Sequence, residues 1–308
     1  MKSSGSGMLR RIPTNEGQTD IIKHQGKPKE ERDVIYESYD IRGKGSEEYA
    51  HAVTYLISHS DEISVQKRPL VVICPGGGYC HTSQREAEMF ALRWNSYGYQ
   101  AIVLWYSVRP AVYPAALLEL ARTVKLAREH AKEWDVDSDQ IYVQGSSAGG
   151  HLAASYGMFW KKEFVAKAMD ADPELLRPNG MMLNYPVITS GEFAHRESFE
   201  NLLGDRYDEL KEEMSLEHQV SADTPPAFLW HTNQDGLVPA ENSLLLALAM
   251  RRAGRPVELH MYMKGNHGLG LASKLTADRD GGAVEPSCQS WFELAYRWTR
   301  ELPGGGVH

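Results

Sequence analysis

The stretch QIYVQGSSAGGHLAAS, Gln140 to Ser155, carries an apolar run straight into two serines set among glycines and then into a helical pattern. No linker separates the halves, so the chain turns from strand to helix within a few residues. Such a turn needs small residues two before and two after its pivot, where the two backbones approach without side-chain clash. Gly145 and Gly149 stand at those offsets around Ser147. The pivot serine is then held exposed on strained backbone, while Ser146 fills the variable slot and points elsewhere. A glycine-rich helix cap would spell the same letters. A serine hydroxyl alone has almost no reactivity at neutral pH, so the rest of the chain must supply its partners.

The same alternation recurs along the 308 residues. RPLVVICPGGGY, QAIVLWYSV, DQIYVQGSS, GMMLNYPVI, PAFLWHTNQD and VELHMYMKGN read as buried strands. Between and after them, SQREAEMFALRWNSYG, PAALLELARTVKLAREHAKEW, ENSLLLALAMRRAG and SWFELAYRWTREL carry helical spacing. Strands separated by helices of this length imply right-handed crossovers and a mostly parallel sheet. Two earlier strand patterns, DVIYESYDI and YAHAVTYLIS, have no helix between them and imply an antiparallel edge. Residues 1–30 are polar and charged and are expected to form a flexible arm, with residues 31–308 as a single catalytic domain. The segment 189–225 is long for a connection between strand and helix, which makes it a candidate excursion facing substrate.

The hydroxyl of Ser147 needs a place for the developing oxyanion. The strand LVVI runs directly into CPGGGY, whose three consecutive glycines leave backbone N–H groups bare. Gly77 and Gly78 are assigned as donors from this loop and Ala148, just after the serine, as the third. The base must be one of twelve histidines. His267 sits in a Gly/Asn loop after the last strand pattern, where a ring reaches back over the sheet's C-terminal edge. His151 reads as a packing or cap residue and His231 as a buried core residue. His195 and His218 fall in the excursion, as surface histidines or substrate contacts. Asp235, in the loop after AFLWH, is placed to orient the far nitrogen of His267. Glu241 is the backup on the following helix, and Asp278 and Asp280 follow the histidine and suit poorly the chain order serine, acid, histidine of one large fold class.

Taken together, PGGGYCHTSQREAE, VLWYSVRP, GSSAGGHLAA, LNYPVIT, SFENLLGD, DTPPAFLWHTNQDGLVPAENS and ELHMYMKGNHGLGLA resemble an α/β-hydrolase esterase of the bacterial acetyl-xylan-esterase-like kind. The resemblance covers roughly Pro69 to Trp298. It implies the α/β-hydrolase fold: a mostly parallel, eight-stranded sheet with helices on both faces and a small excursion after strand 6. It also implies Ser147 as nucleophile, Asp235 as acid and His267 as base, the residues that spacing had already reached. Pro75 stands where the related hormone-sensitive-lipase-like branch has a histidine, and Ser146 where that branch commonly has aspartate. Both departures argue against long-chain lipase activity.

The expected reaction is removal of acetyl groups from acetylated carbohydrates through an acyl-enzyme, with no metal or organic cofactor. Tyr79, Trp105 and Tyr106, near strand ends, are candidate substrate contacts. The alternatives are a generic short-chain carboxylesterase or a cephalosporin-type deacetylase using the same residues, and a non-catalytic binding protein of this fold. Such binding relatives usually lose a triad member, and here all three are present. The net charge of −8 disfavours nucleic-acid and anionic-membrane partners. Three cysteines without CxxC spacing, and no secretory h-region, make the cytoplasm the expected compartment. A homodimer is compatible with all of this.

Overall fold

Eight strands lie in one sheet, in the order β1-β2-β4-β3-β5-β6-β7-β8. The structure, a computed structural model, describes residues 34–303; the arm expected over residues 1–30 lies outside them. β1 (Ser38–Tyr39), β2 (His51–Tyr55) and β4 (Gln100–Trp105) pair antiparallel, which makes the expected edge. β3 (Arg68–Cys74), β4, β5 (Val136–Ser146), β6 (Gly180–Asn184), β7 (Ala227–Thr232) and β8 (Val257–Tyr262) run parallel.

Alternate residues of the central strands face two separate cores, as a period of two requires. In β3, Leu70, Val72 and Cys74 join the core under α2 (Ala115–Glu129), α3 (Ala148–Phe159), α4 (Glu163–Met169) and α7 (Glu241–Arg252). Val71 and Ile73 join the other, under α1 (Glu88–Ser96) and α8 (Trp291–Glu301). β3 is buried along its whole length, and this is why its sequence is a continuous apolar run rather than an alternating one. Among the described residues, no helix is long and apolar enough to cross a membrane.

Three elements depart from the sequence pattern. The first strand is only two residues long, with one isolated bridge between Ile35 and Leu56, because this outermost segment has a partner on one side only. β6 stops at Asn184, where Tyr185 takes φ 37° and Pro186 removes an N–H from the ladder. The helix expected from Ser83 breaks at Ala87 into a 3₁₀ turn (Gln84–Glu86) followed by α1, and the break buries Glu86. Between β6 and β7 the chain carries α5 (Arg196–Leu203), the one-turn helix α6 (Tyr207–Leu210) and two 3₁₀ turns, the excursion expected there.

Candidate active site

β5 runs into α3 through Ser147, which holds φ 55° and ψ −120°. That left-handed backbone is costly for a residue with a side chain and persists only where neighbours hold it. Here the Ser147 N–H donates to Asn184 O at 3.0 Å, and its carbonyl accepts the N–H of Val187 at 3.1 Å. The glycines at the two offsets are required by contact. A Cβ on Gly145 would lie 1.9 Å from Gly149 O, and one on Gly149 would lie 2.1 Å from Cys74 O. The Ser146 side chain is buried, and its Oγ accepts from Asn184 Nδ2 at 3.0 Å.

The loop after β8 places His267 over the bend. Its Nε2 lies 2.7 Å from Ser147 Oγ, and its Nδ1 lies 2.7 Å from Asp235 Oδ2. With Nδ1–H donating to the carboxylate, Nε2 is left to accept the serine hydroxyl. Asp235 stands after β7, and its Oδ1 accepts the backbone N–H groups of Leu237 and Val238 at 3.0 and 2.9 Å. Burial by itself would raise its pKa. Hydrogen bonds from His231 and His267 and the Val238 N–H outweigh that and hold the carboxyl well below the usual carboxylate range.

The sequence places His231 in the core, and it is a core residue with a specific duty. Fully buried, it sits with Nε2 3.2 Å from Asp235 Oδ2 and 3.0 Å from Val238 O, and with Nδ1 2.8 Å from Ser243 Oγ. An Nε2–H shared between Asp235 and Val238 holds the same carboxylate oxygen, Oδ2, that receives His267. Its position on β7, four residues before Asp235, is a signal that strand periodicity alone reads as core. Among the described residues, the carboxylate bonded to His267 is that of Asp235, not Glu241, Asp278 or Asp280.

The glycine loop closes the other side. Gly77 and Gly78 take φ 128° and 62°, open to glycine and strained for other residues. The Gly76 N–H is engaged by Glu86 Oε2 at 2.8 Å. Among the described residues, the N–H groups of Gly77, Gly78 and Ala148 donate to no protein acceptor. Ala148 opens α3, so its N–H also carries the positive end of the helix dipole. Asn201 of α5 secures the loop from the excursion, donating from Nδ2 to Gly78 O at 2.8 Å while its Oδ1 accepts from Arg109 Nη1 at 3.2 Å.

Gly77, Gly78, Ser147 and His267 share a cleft of about 340 Å³, which His81, Ser83, Arg85, His195, Glu197 and Leu237 also line. Arg85 donates through Nε to Thr276 O, while its Nη2 is sealed from solvent without an acceptor. His195 hydrogen-bonds Ser198 Oγ through Nδ1 at 2.8 Å, and burial, then the neighbouring His267, lowers its pKa. His218 is exposed beside Glu217 and lies away from the cleft. Of the cysteines, Cys74 and Cys288 are buried, and Cys80 is exposed at the mouth of the cleft.

The three aromatic candidates need correcting, because none of them lines this cleft. Tyr79 is 2% exposed, with its hydroxyl 3.0 Å from His151 Nδ1. Tyr106 is fully buried, and its hydroxyl donates to Pro75 O at 2.7 Å. Both hydroxyls are spent supporting the glycine loop from beneath, since large rings gain more from burial there than from a rim position. Trp105 stacks on His51, at the antiparallel side of the sheet.

His151 completes that underside. Its Nε2 lies 2.9 Å from Met214 O, and burial lowers its pKa to about 4. A histidine whose folded pKa lies below its unfolded value stabilises the fold fully above about pH 6.5, and the contribution is lost as pH falls toward 4. The loss should approach about 3 kcal/mol by pH 4. Urea denaturation from pH 7 to 5 is therefore expected to show a steeper loss for the native protein than for His151→Gln. Equal slopes would refute this.

Residues 55–250, well over half of the chain, match the model of the BD-FAE family. The chain is 34% identical over 224 residues to endo-1,4-beta-xylanase B of Butyrivibrio fibrisolvens, covering 70% of this chain and 34% of that protein. It is 31% identical over 210 residues to the acetylxylan esterase of Xylanibacter ruminicola, covering 66% and 41%. It thus spans between a third and a little over two-fifths of these curated relatives' length. The solved acetyl ester-xyloside bifunctional hydrolase of Caldicellulosiruptor lactoaceticus superposes with a TM-score of 0.69 at 40% identity, over 81% of this chain and 86% of that one. A family match of this extent, on a sheet that places Ser147, His267 and Asp235 at its C-terminal edge, makes the chain a member of the BD-FAE family with the α/β-hydrolase fold.

Proposed function

We propose that the protein is a carboxylic ester hydrolase that removes acetyl groups from acetylated carbohydrates. The observation that carries this reading is the unbroken chain from Asp235 through His267 to Ser147, ending at a cleft beside three free N–H groups. In the first half-reaction His267 Nε2 takes the Ser147 proton while Oγ forms a bond to the acetyl carbonyl carbon. The carbonyl electron pair moves onto oxygen, which Gly77, Gly78 and Ala148 receive. The carbon–oxygen bond to the sugar then breaks, and the sugar alcohol leaves with the proton from His267. Water repeats the sequence on the acyl-enzyme, releasing acetate and restoring the serine.

The names of the acetylxylan esterase relative and the acetyl ester-xyloside hydrolase neighbour support the acetyl and xylan halves of the substrate. Support also comes from the cleft, whose small volume suits a short acyl group and whose His81, Ser83, Arg85, His195 and Glu197 suit a hydroxyl-rich alcohol. The test compares acetate release from acetylated xylan, mannan and cellobiose with hydrolysis of 4-nitrophenyl butyrate. Release from at least one carbohydrate ester with a higher kcat/KM than the butyrate is expected. Turnover confined to the synthetic ester would replace this reading with a generic short-chain carboxylesterase.

A further inference from the structure

One buried carboxylate outside the Ser–His–Asp chain touches the glycine loop directly and the His267 loop through one tyrosine. Glu86 is 4% exposed, turned inward by the break in backbone at Ala87. Its Oε2 accepts the Gly76 N–H at 2.8 Å, and its Oε1 accepts the Tyr185 hydroxyl at 2.5 Å. The Tyr185 oxygen accepts in turn from the N–H of Gly270, three residues past His267, at 2.9 Å. The Tyr185 ring meets the His267 imidazole edge to face, with centroids 5.1 Å apart. Burial, then the charge of Glu86, pushes the Tyr185 hydroxyl well above its ordinary pKa and keeps it a donor.

The glycine loop depends on such an anchor. Gly76, Gly77 and Gly78 have no side chains with which to fix their own backbone, and their freedom is large. The Glu86–Gly76 bond pins the first of these residues, and with it the chain direction into Gly77. A Cβ on Gly76 would lie 2.7 Å from Glu86 Oε2 and 2.8 Å from the Ser146 backbone oxygen, and the second, being main chain, is what requires glycine there.

We propose that Glu86 is a positioning residue of the ester-hydrolysing site, holding the Gly77–Gly78 donors and the His267 ring in mutual register through Gly76 and Tyr185. The inference rests on the proposed ester hydrolysis. It also requires a carboxylate and not merely a polar group. Both oxygens accept, whereas glutamine has one acceptor: with it on the Gly76 N–H, the amide could only donate to the Tyr185 oxygen, leaving the Tyr185 O–H without its acceptor, and the flipped amide would set an N–H against the Gly76 N–H.

The experiment measures kcat and KM for 4-nitrophenyl acetate in Glu86→Gln, Tyr185→Phe and the double variant, with circular dichroism confirming the fold. Deleting one oxyanion donor outright costs about 10²–10³-fold, so a donor pair still held by Asn201 but loosened at its Glu86 anchor should cost Glu86→Gln about 30- to 100-fold in kcat, with KM within about threefold. Tyr185→Phe should lose about tenfold, and the double variant should fall no further than about twofold below Glu86→Gln, because both act through one network. A kcat within threefold of the native value in Glu86→Gln, or losses that multiply in the double variant, overturns the proposal. If Glu86→Gln does not fold, Tyr185→Phe decides, since it keeps the ring and deletes one oxygen: native kcat there overturns the proposal too. Native protein without turnover would instead remove the ester-hydrolase reading, and this inference with it.

Discussion

Ser147→Ala is expected to bring 4-nitrophenyl acetate hydrolysis to near the uncatalysed background, a loss of about 10⁴-fold or more in kcat. The substitution deletes the hydroxyl bonded to His267 Nε2, at 2.7 Å, while the bend keeps its strained backbone through bonds to Asn184 and Val187 that involve main-chain atoms alone. Folding should accordingly be unchanged, and circular dichroism and Tm check this. The contrast is Ser146→Ala one residue earlier. Ser146 Oγ is engaged by Asn184 Nδ2 in the core, so its loss should cost stability of about 1 kcal/mol and leave kcat within a few-fold. Activity that survives in Ser147→Ala and vanishes in Ser146→Ala would mean that the wrong serine has been assigned.

Asp235→Asn should lower kcat about 10³- to 10⁴-fold, through the histidine. The carboxylate accepts from both His267 and His231 at Oδ2 and from two backbone N–H groups at Oδ1. An asparagine oxygen can serve only one of these sides. If it keeps the Leu237 and Val238 N–H groups, the amide N–H faces His267 Nδ1 and forces the other tautomer, with the proton on Nε2. That ring cannot take the Ser147 proton. The same substitution removes a stabilising charge. The folded-state pKa of Asp235 is depressed, so its contribution is present above the ordinary carboxylate pKa and disappears as pH falls below it. The difference in Tm between native and Asp235→Asn protein should be large at pH 7 and shrink as pH falls below about 4. A variant with near-native kcat would remove Asp235 from the site.

How much of this was readable without coordinates depended on the range of the interactions. Ser147 is legible because its constraints are local: Gly145 and Gly149 must be bare for β5 and α3 to meet, and both lie within two residues of the serine. Asp235 and His267 followed from chain order and from strands that end in loops on one edge. Tyr79 and Tyr106 misled, because proximity to a strand end in sequence says nothing about which side of a loop a ring occupies. Here they fill the space beneath the glycines, against His151 and Pro75. His195 shared the ambiguity and came out the other way, in the cleft wall.

The sequence by itself determined the alternation of strands and helices, the antiparallel edge, the sharp bend and the three residues joined across it. The first three follow from backbone sterics and from hydrophobic periods spanning a few residues, and the last from chain order and strand ends. Tertiary structure alone decided the duties of His231, Glu86 and Asn201. Glu86 lies in a stretch whose spacing reads as one helix, and nothing local breaks that helix at Ala87. Its partners, Tyr185 and, through it, Gly270, are 99 and 184 residues away. A buried carboxylate is tolerable only where donors converge on it, and that convergence exists only once β3, β6 and β8 have brought their loops to one edge.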